Sequence, residues 1–349
     1  MLCHLPSWLR MSLALFGAGA LCHLFTPPVR SLALRLGAVD RPGGRRVNRS
    51  PVPRMGGLAI SLGFLVVAPA LCPTEGPVSG LLGGALLIVL MGALDDLFDL
   101  RPAVKLLAQL AAAAVAVRGG IVLGAVSSFS GGSIALPYPL AASLTVLWIV
   151  ACTNAVNLID GLDGLAVGVS AIGSLSMLLV ALAVSAPAVA VLLAALNGAC
   201  LGFLPYNRSP ARIFMGDAGS QFLGFTLGAV SVLGLLKFHT LVSFFVPLLA
   251  LSVPLADTAF AVLRRLRRGQ SPFHADRGHI HHRLLDWGLS QKQAVAVLYA
   301  LSSLQGLAAV LLAGTDALSR LLILLPAFAL SLAVWLPVLR SPRQQQSGS

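Results

Sequence analysis

The sequence predicts an all-α polytopic integral membrane protein of about eleven transmembrane helices. Three observations predict it. Apolar residues make up 57% of the 349 residues and charged residues only 10%, whereas a soluble domain carries about a quarter charged. The apolar residues form long uncharged runs, and a backbone in lipid must close its own hydrogen bonds, as helices do. The acidic and histidine residues gather in a few short segments between those runs.

In chain order, spans are expected at about 9–26, 56–72, 79–95, 103–117, 140–157, 164–184, 186–204, 220–236, 241–262, 293–313 and 319–339. Pro27 and Pro28 are expected to end the first. The basic stretch after it (Arg30, Arg35, Arg41, Arg45, Arg46, Arg49, Arg54) reads as the flank of a retained anchor. Between spans four and five, IVLGAVSSFSGGSIALPY reads as a short outer-face β-hairpin around Gly131-Gly132. Ile280, Leu284 and Trp287 recur at i, i+4 and i+7, which predicts a short helix in the headgroup plane. No internal repeat of a transporter kind is evident. The whole of 1–349 is expected to form one transmembrane domain, with a disordered tail at 340–349.

The net charge of +12 invites a nucleic-acid reading. Its placement argues against nucleic acid. Of the 24 Lys and Arg, all but Arg10, Arg118, Lys237 and Arg320 fall in loops and tail on one side. That asymmetry predicts an outward N-terminus and an inward C-terminus. Cys3, Cys22, Cys72, Cys152 and Cys200 include no CxxC pair and read as packing residues.

Four polar motifs follow odd-numbered spans, so all are expected on the cytoplasmic face, in loops at about 95–102, 154–164, 205–220 and 264–292. In DDLFD, Asp95 and Asp99 share a helix face and Asp96 is turned by about 100°. Such crowded carboxylates need a cation or a shared proton, and Mg²⁺ with oxygen ligands is the simplest neutraliser. Surface capping is the bland alternative, and weighs most for Asp99. In NAVNLIDGLDG, Asn154, Asn157 and Asp160 are three apart and line one stripe. Gly161 and Gly164 then free backbone N–H groups beside Asp163; an ordinary Asn/Asp-Gly turn is the alternative. FMGDAGS places Asp217 at a span's start, as metal ligand or N-cap. HADRGHIHH joins His274, His279, His281 and His282 to Arg277 and Arg283. A zinc site is conceivable, but flanking arginines attract phosphate and predict a diphosphate clamp.

With these motifs together, the chain resembles the polyprenyl-phosphate N-acetylhexosamine-1-phosphate transferases, over about residues 40–290. GALDDLFDLRPAVKLLAQ is similar to the family's aspartate-rich loop, NAVNLIDGLDGLA to its Asn/Asp loop and FMGDAGS to its glycine-aspartate motif. SPFHADRGHIHHRLLDWG resembles the histidine motif of the WecA-like branch, as does the eleventh span, whereas the MraY branch carries adjacent histidines in this loop. The resemblance implies transfer of a sugar-1-phosphate, GlcNAc-1-phosphate by default, from a UDP-sugar to undecaprenyl phosphate at the bacterial inner membrane. It implies Asp95, Asp96, Asp160 and Asp217 as catalytic residues, with Asp217, Asp95 and Asp96 on Mg²⁺, or on Mn²⁺ in its place. Asn154, Asn157, Asp163, Lys105, Arg277, His279, His281 and His282 are the implied substrate-binding residues. The partners expected are the two substrates and membrane lipids, with no nucleic acid and a homodimer left open. An intramembrane prenyltransferase explains the aspartates but leaves the histidines idle. An ion-coupled transporter needs charges at mid-span.

Overall fold

The computed structural model describes residues 2–40, 51–127, 133–235, 241–267, 269, 279–313, 322–323, 325–327 and 329. The described chain is a helical bundle. Its helices are α1 (Ser7–Leu36), α2 (Gly57–Leu71), α3 (Pro77–Phe98), α4 (Pro102–Arg118), α5 (Tyr138–Ile159) and α6 (Leu165–Ala183). They continue with α7 (Pro187–Asn207), α8 (Gly216–Val230), α9 (Leu241–Ala250), α10 (Ser252–Arg267), α11 (Ile280–Asp286) and α12 (Gln291–Ala313). Among the described residues, α1, α3, α5, α6, α7 and α12 are long and apolar enough to cross a membrane. Of the expected eleventh span, 319–339, only residues 322–323, 325–327 and 329 are described, all helical, and the tail lies outside the described residues.

The core follows from how much of each helix is enclosed. α6 and α7 bury 72% of their most apolar window, α1 only 22%, so the former form the centre and α1 an outer wall. Small residues let the backbones meet there. A Cβ on Gly198 would overlap the Leu15 carbonyl, and one on Gly202 the Gly19 carbonyl, which seams α1 to α7 by close van der Waals approach. Phe64 of α2 meets Phe222 of α8 edge-on, Phe203 of α7 closes on Gly56, and Phe225 of α8 closes on Gly84 of α3, all four fully buried.

Two expectations about helix ends are corrected. Pro27 and Pro28 do not end the first helix; α1 runs on to Leu36. Pro27 deprives the His23 carbonyl of its N–H partner, and the Tyr206 hydroxyl of α7 donates to that oxygen at 3.3 Å. A neighbouring helix thus satisfies the lost bond. The single span expected at 241–262 is instead broken at Leu251 into α9 and α10. Pro254 has no N–H to offer the Ala250 carbonyl, which accounts for the break.

The remaining elements position loops. The hairpin is present as β3 (Ala125–Ser127) antiparallel to β4 (Ser133–Ala135), with Val126 opposite Ile134; Gly131-Gly132 lies outside the described residues. A second ladder was not foreseen: β1 (Val39–Asp40) pairs with β2 (Val52–Pro53). Its continuation matters, because Phe214 N donates to Pro53 O at 2.8 Å and Gly57 N to Met215 O at 2.7 Å. The start of α2 thereby holds the segment that leads into α8. α11 is short as expected, but it buries Ile280, His281 and Leu284 and leaves Trp287 exposed.

Candidate active site

The C-terminal ends of α3, α5 and α7 and the N-terminal ends of α8 and α12 meet around one cavity of about 310 Å³. Asp40, Arg54, Asp96, Asn157, Asp160, Asp163, Asp217 and His282 line it, with Gly161 and Gly216 leaving room at its wall. Residues from all four sequence motifs therefore share one space.

Its first wall is α3 against α8. The α8 N-terminus has no side-chain cap of its own. Asp96 of α3 supplies it from outside, accepting from Asp217 N at 2.8 Å and Ala218 N at 3.2 Å. A carboxylate at a helix N-terminus answers both the unpaired N–H groups and the dipole. This close fit requires glycine: Gly216 has φ +68°, and a Cβ there would strike the Asp96 carboxylate. Asp95 points elsewhere. It accepts from Leu100 N at 2.7 Å and pairs with Lys105, and it does not line the cavity. Lys105 Nζ also reaches Asp217 Oδ2 at 2.7 Å, so the ammonium is the cation that joins these two carboxylates.

Behind that wall a chain of amides fixes Asp217. Gln221 Nε2 donates to Asp217 Oδ2 at 3.2 Å, Gln109 Nε2 to Gln221 Oε1 at 3.1 Å, and Asn154 Nδ2 to Gln109 Oε1 at 2.6 Å. Asn154 is thus a supporting residue inside the bundle, away from the cavity. Gln221 was missed, although its i, i+4 spacing from Asp217 could have found it. Asn157 lines the cavity and accepts from Ser220 Oγ at 2.6 Å.

The second wall is the turn between α5 and α6. Asp160 ends α5, and Gly164 (φ +79°) starts α6 in the left-handed region. The turn is tied on three sides: Asn207 Oδ1 accepts from Gly164 N at 3.1 Å, Tyr299 donates to Gly164 O at 2.5 Å, and Asp163 Oδ2 accepts from Ala211 N at 3.0 Å. The Asp160 carboxylate takes no hydrogen bond among the described residues. Burial, and then the charges of Asp217, Asp96 and Asp163, push its pKa up to about 8.

The histidines form the third side, and they divide. His282 lines the cavity. His281 packs on Gly161, where a Cβ would overlap its ring, and its rings lie 4.3 Å from His282 and 5.8 Å from His279 between centroids. Burial, then the neighbouring His282, push His281 down to about 3, so it serves as a neutral donor or acceptor. Its Nδ1 is buried with no hydrogen-bond partner among the described residues. His279 Nδ1 sits 2.7 Å from Asp257 Oδ2, and Ile280 N donates to Asp257 Oδ1 at 2.8 Å. Asp257 was missed. Its signal was legible, since a lone carboxylate in an apolar span needs a partner or a task. Arg277 and His274 lie outside the described residues. Asp99 is exposed and pairs with Arg54 at 2.8 Å, the bland reading.

The cavity's acidic donors are all oxygen, which fits a hard divalent cation. Among the described residues no three acidic, histidine or cysteine groups converge to hold one by themselves; Mg²⁺ usually takes one or two carboxylates and completes its shell with substrate phosphates and waters. What the arrangement presents is a recessed acidic site with one carboxylate unbonded among the described residues, an amide-braced aspartate, and His282 at its rim.

The family model for glycosyl transferase family 4 matches residues 78–235. A probable undecaprenyl-phosphate N-acetylglucosaminyl 1-phosphate transferase of Bacillus subtilis is 42% identical over 83% of this chain and 81% of its own length. A decaprenyl-phosphate N-acetylglucosaminephosphotransferase of Mycobacterium tuberculosis is 37% identical over 82% and 79%. An undecaprenyl-phosphate alpha-N-acetylglucosaminyl 1-phosphate transferase of Escherichia coli is 31% identical over 79% and 76%. These matches do not favour a prenyltransferase or a transporter. Motifs, cavity and relatives agree: the chain belongs to glycosyl transferase family 4, among the polyprenyl-phosphate sugar-1-phosphate transferases.

Proposed function

We propose that this protein transfers N-acetylglucosamine-1-phosphate from UDP-N-acetylglucosamine to undecaprenyl phosphate, releasing UMP and starting a cell-surface glycan. The observation that carries the proposal is the convergence of Asp96, Asp160, Asp217 and His282, from four separate motifs, on one cavity.

An oxygen of the lipid phosphate attacks the β-phosphorus. The bond from that phosphorus to the bridging oxygen breaks, and UMP leaves with the oxygen. A phosphomonoester's second pKa is about 6, so the nucleophile is largely ionised at neutral pH. The chain's task is to position two anions and offset their charge. Asp160, whose carboxylate takes no hydrogen bond among the described residues, takes up the remaining proton. Asp96 is a weaker candidate for that role, because two backbone N–H groups already hold its carboxylate. His282 contacts the diphosphate at the rim, and His281 and Asp257 hold the histidine segment against Gly161. Mg²⁺, or Mn²⁺ in its place, would be held by Asp217 with Asp96 and Asp160 nearby, and when bound it supplies charge neutralisation to the diphosphate. Asp95 would act through Lys105.

In the membrane the proposal places the cavity at the cytoplasmic face of the bacterial inner membrane, the N-terminus outside and the C-terminus inside. Arg54, Arg101, Lys105, Arg208, Arg212 and Lys292 at the cavity end support that orientation. Eleven spans follow if α9 and α10 together make the ninth and residues 319–339 the last. The test is purified full chain with Mg²⁺, undecaprenyl phosphate and a panel of UDP-sugars. UMP release with UDP-N-acetylglucosamine is expected. Release of UDP, or no release with any sugar, overturns the proposal.

A further inference from the structure

A second cavity, of about 930 Å³, lies beside the first and shares only Asp163 with it. Its character is opposite. Arg208, Arg212 and Lys292 line it and form no ion pair among the described residues, while its only carboxylate, Asp163, is engaged by Ala211 N. The adjoining wall is apolar: Leu204 and Pro205 at the end of α7, and Val295 and Ala296 near the start of α12, both membrane-length helices. Cations at a helix-end mouth above an apolar wall match an amphiphile with an anionic headgroup.

We propose that this cavity holds the phosphate headgroup of an anionic diacyl phospholipid. The anion held here is not the reacting one, because Arg208, Arg212 and Lys292 do not line the acidic cavity. A soluble nucleotide fits poorly, since Leu204, Pro205, Val295 and Ala296 would offer no side-chain hydrogen bond to a sugar or a base. The occupant also bears on the neighbouring site. Tyr299 lines this cavity and holds Gly164 O, and Arg212 and Arg208 flank the segment whose Ala211 N holds Asp163. A headgroup bound between them braces the turn that carries Asp160.

The test uses the full chain in nanodiscs of phosphatidylcholine alone or with phosphatidylglycerol, reading the thermal midpoint and, by lipid extraction, the retained phosphatidylglycerol. Phosphatidylglycerol is expected to raise the midpoint and to be retained. Each basic side chain near an anionic lipid contributes about fivefold in affinity, so R208Q/K292Q should lower retention by more than tenfold. R35Q/R267Q, which removes as much charge elsewhere, should lower it by no more than about twofold. Ala296→Trp fills the apolar wall with every cation in place and should also abolish the midpoint rise, which separates a shaped site from a diffuse field. Variants are compared only where their midpoint in phosphatidylcholine matches the parent. Equal losses in the two double variants, unchanged retention in R208Q/K292Q, an equal rise with inorganic phosphate in place of phosphatidylglycerol, or displacement of the retained phosphatidylglycerol by undecaprenyl phosphate would each overturn the proposal.

Discussion

The two walls of the acidic cavity are built in opposite ways. On the α3–α8 wall, Asp95, Asp96 and Asp217 are all engaged, by Leu100 N, Lys105, the α8 backbone and Gln221. On the α5–α6 wall the turn is pinned by Asn207, Tyr299 and Ala211, yet Asp160 itself is bonded to none of the described residues. The first wall fixes where charge sits. The second presents a carboxylate free to change its protonation. Replacing side chains that hold the α8 backbone should therefore cost stability as well as chemistry, and replacing Asp160 chemistry alone.

The largest effect is expected at Asp217, where charge and position both matter. Asp217→Asn should lower UMP release by more than about a thousandfold, and excess Mg²⁺ should not restore it. Retained turnover would remove the aspartate from the chemistry. Asp160→Asn should cost about a hundredfold or more in turnover while leaving the fold intact. Asp96→Ala should show the reverse emphasis. It strands two N–H groups at the α8 N-terminus, a loss of about 1–3 kcal/mol, and the thermal midpoint should fall as well as activity. If Asp160→Asn destabilised and Asp96→Ala did not, the contrast between the walls would be wrong.

A smaller effect tests His279. Asp257→Asn keeps the shape of the pair but not its charge, and should cut kcat/KM by about tenfold, as supporting carboxylates behind functional histidines do. The smallest concerns pH and stability, measured with EDTA present. The folded Asp160 titrates at about 8 against an ordinary 3.8. Between those values the folded state holds more protons than the unfolded one, so this group's contribution to stability falls as pH rises through the window. The midpoint of Asp160→Asn minus that of the parent should therefore grow from about pH 4 to about pH 8 and then level off. A difference that stays flat would mean the carboxylate is not desolvated.

Much of this was legible because the physics is local. Uncharged runs long enough to span lipid located the helices from α1 to α8 and α12, and glycine after aspartate located the turn at Gly161–Gly164. Pairings across the bundle were not. Nothing near Pro27 tells that Tyr206 will satisfy the His23 carbonyl, so α1 was cut short. Nothing near Asp96 tells that its task is to cap α8. The histidines read as one clamp, since sequence spacing says nothing about depth. Burial then separated His282 at the cavity from His281 and His279 behind it. Lys105 was legible as a candidate, but its place between two carboxylates required three helices to be assembled.

Glycine contacts around α8 have one more consequence. A Cβ at Gly57 would run into the Gly219 backbone, and one at Gly92 into Ala218. Asp217 is thus located by main chains in direct touch from three segments, with no adjustable side chain between them. One added methyl group at either spot must shove the reactive aspartate sideways, so a change remote from any substrate should read out as lost turnover with ordinary substrate affinity.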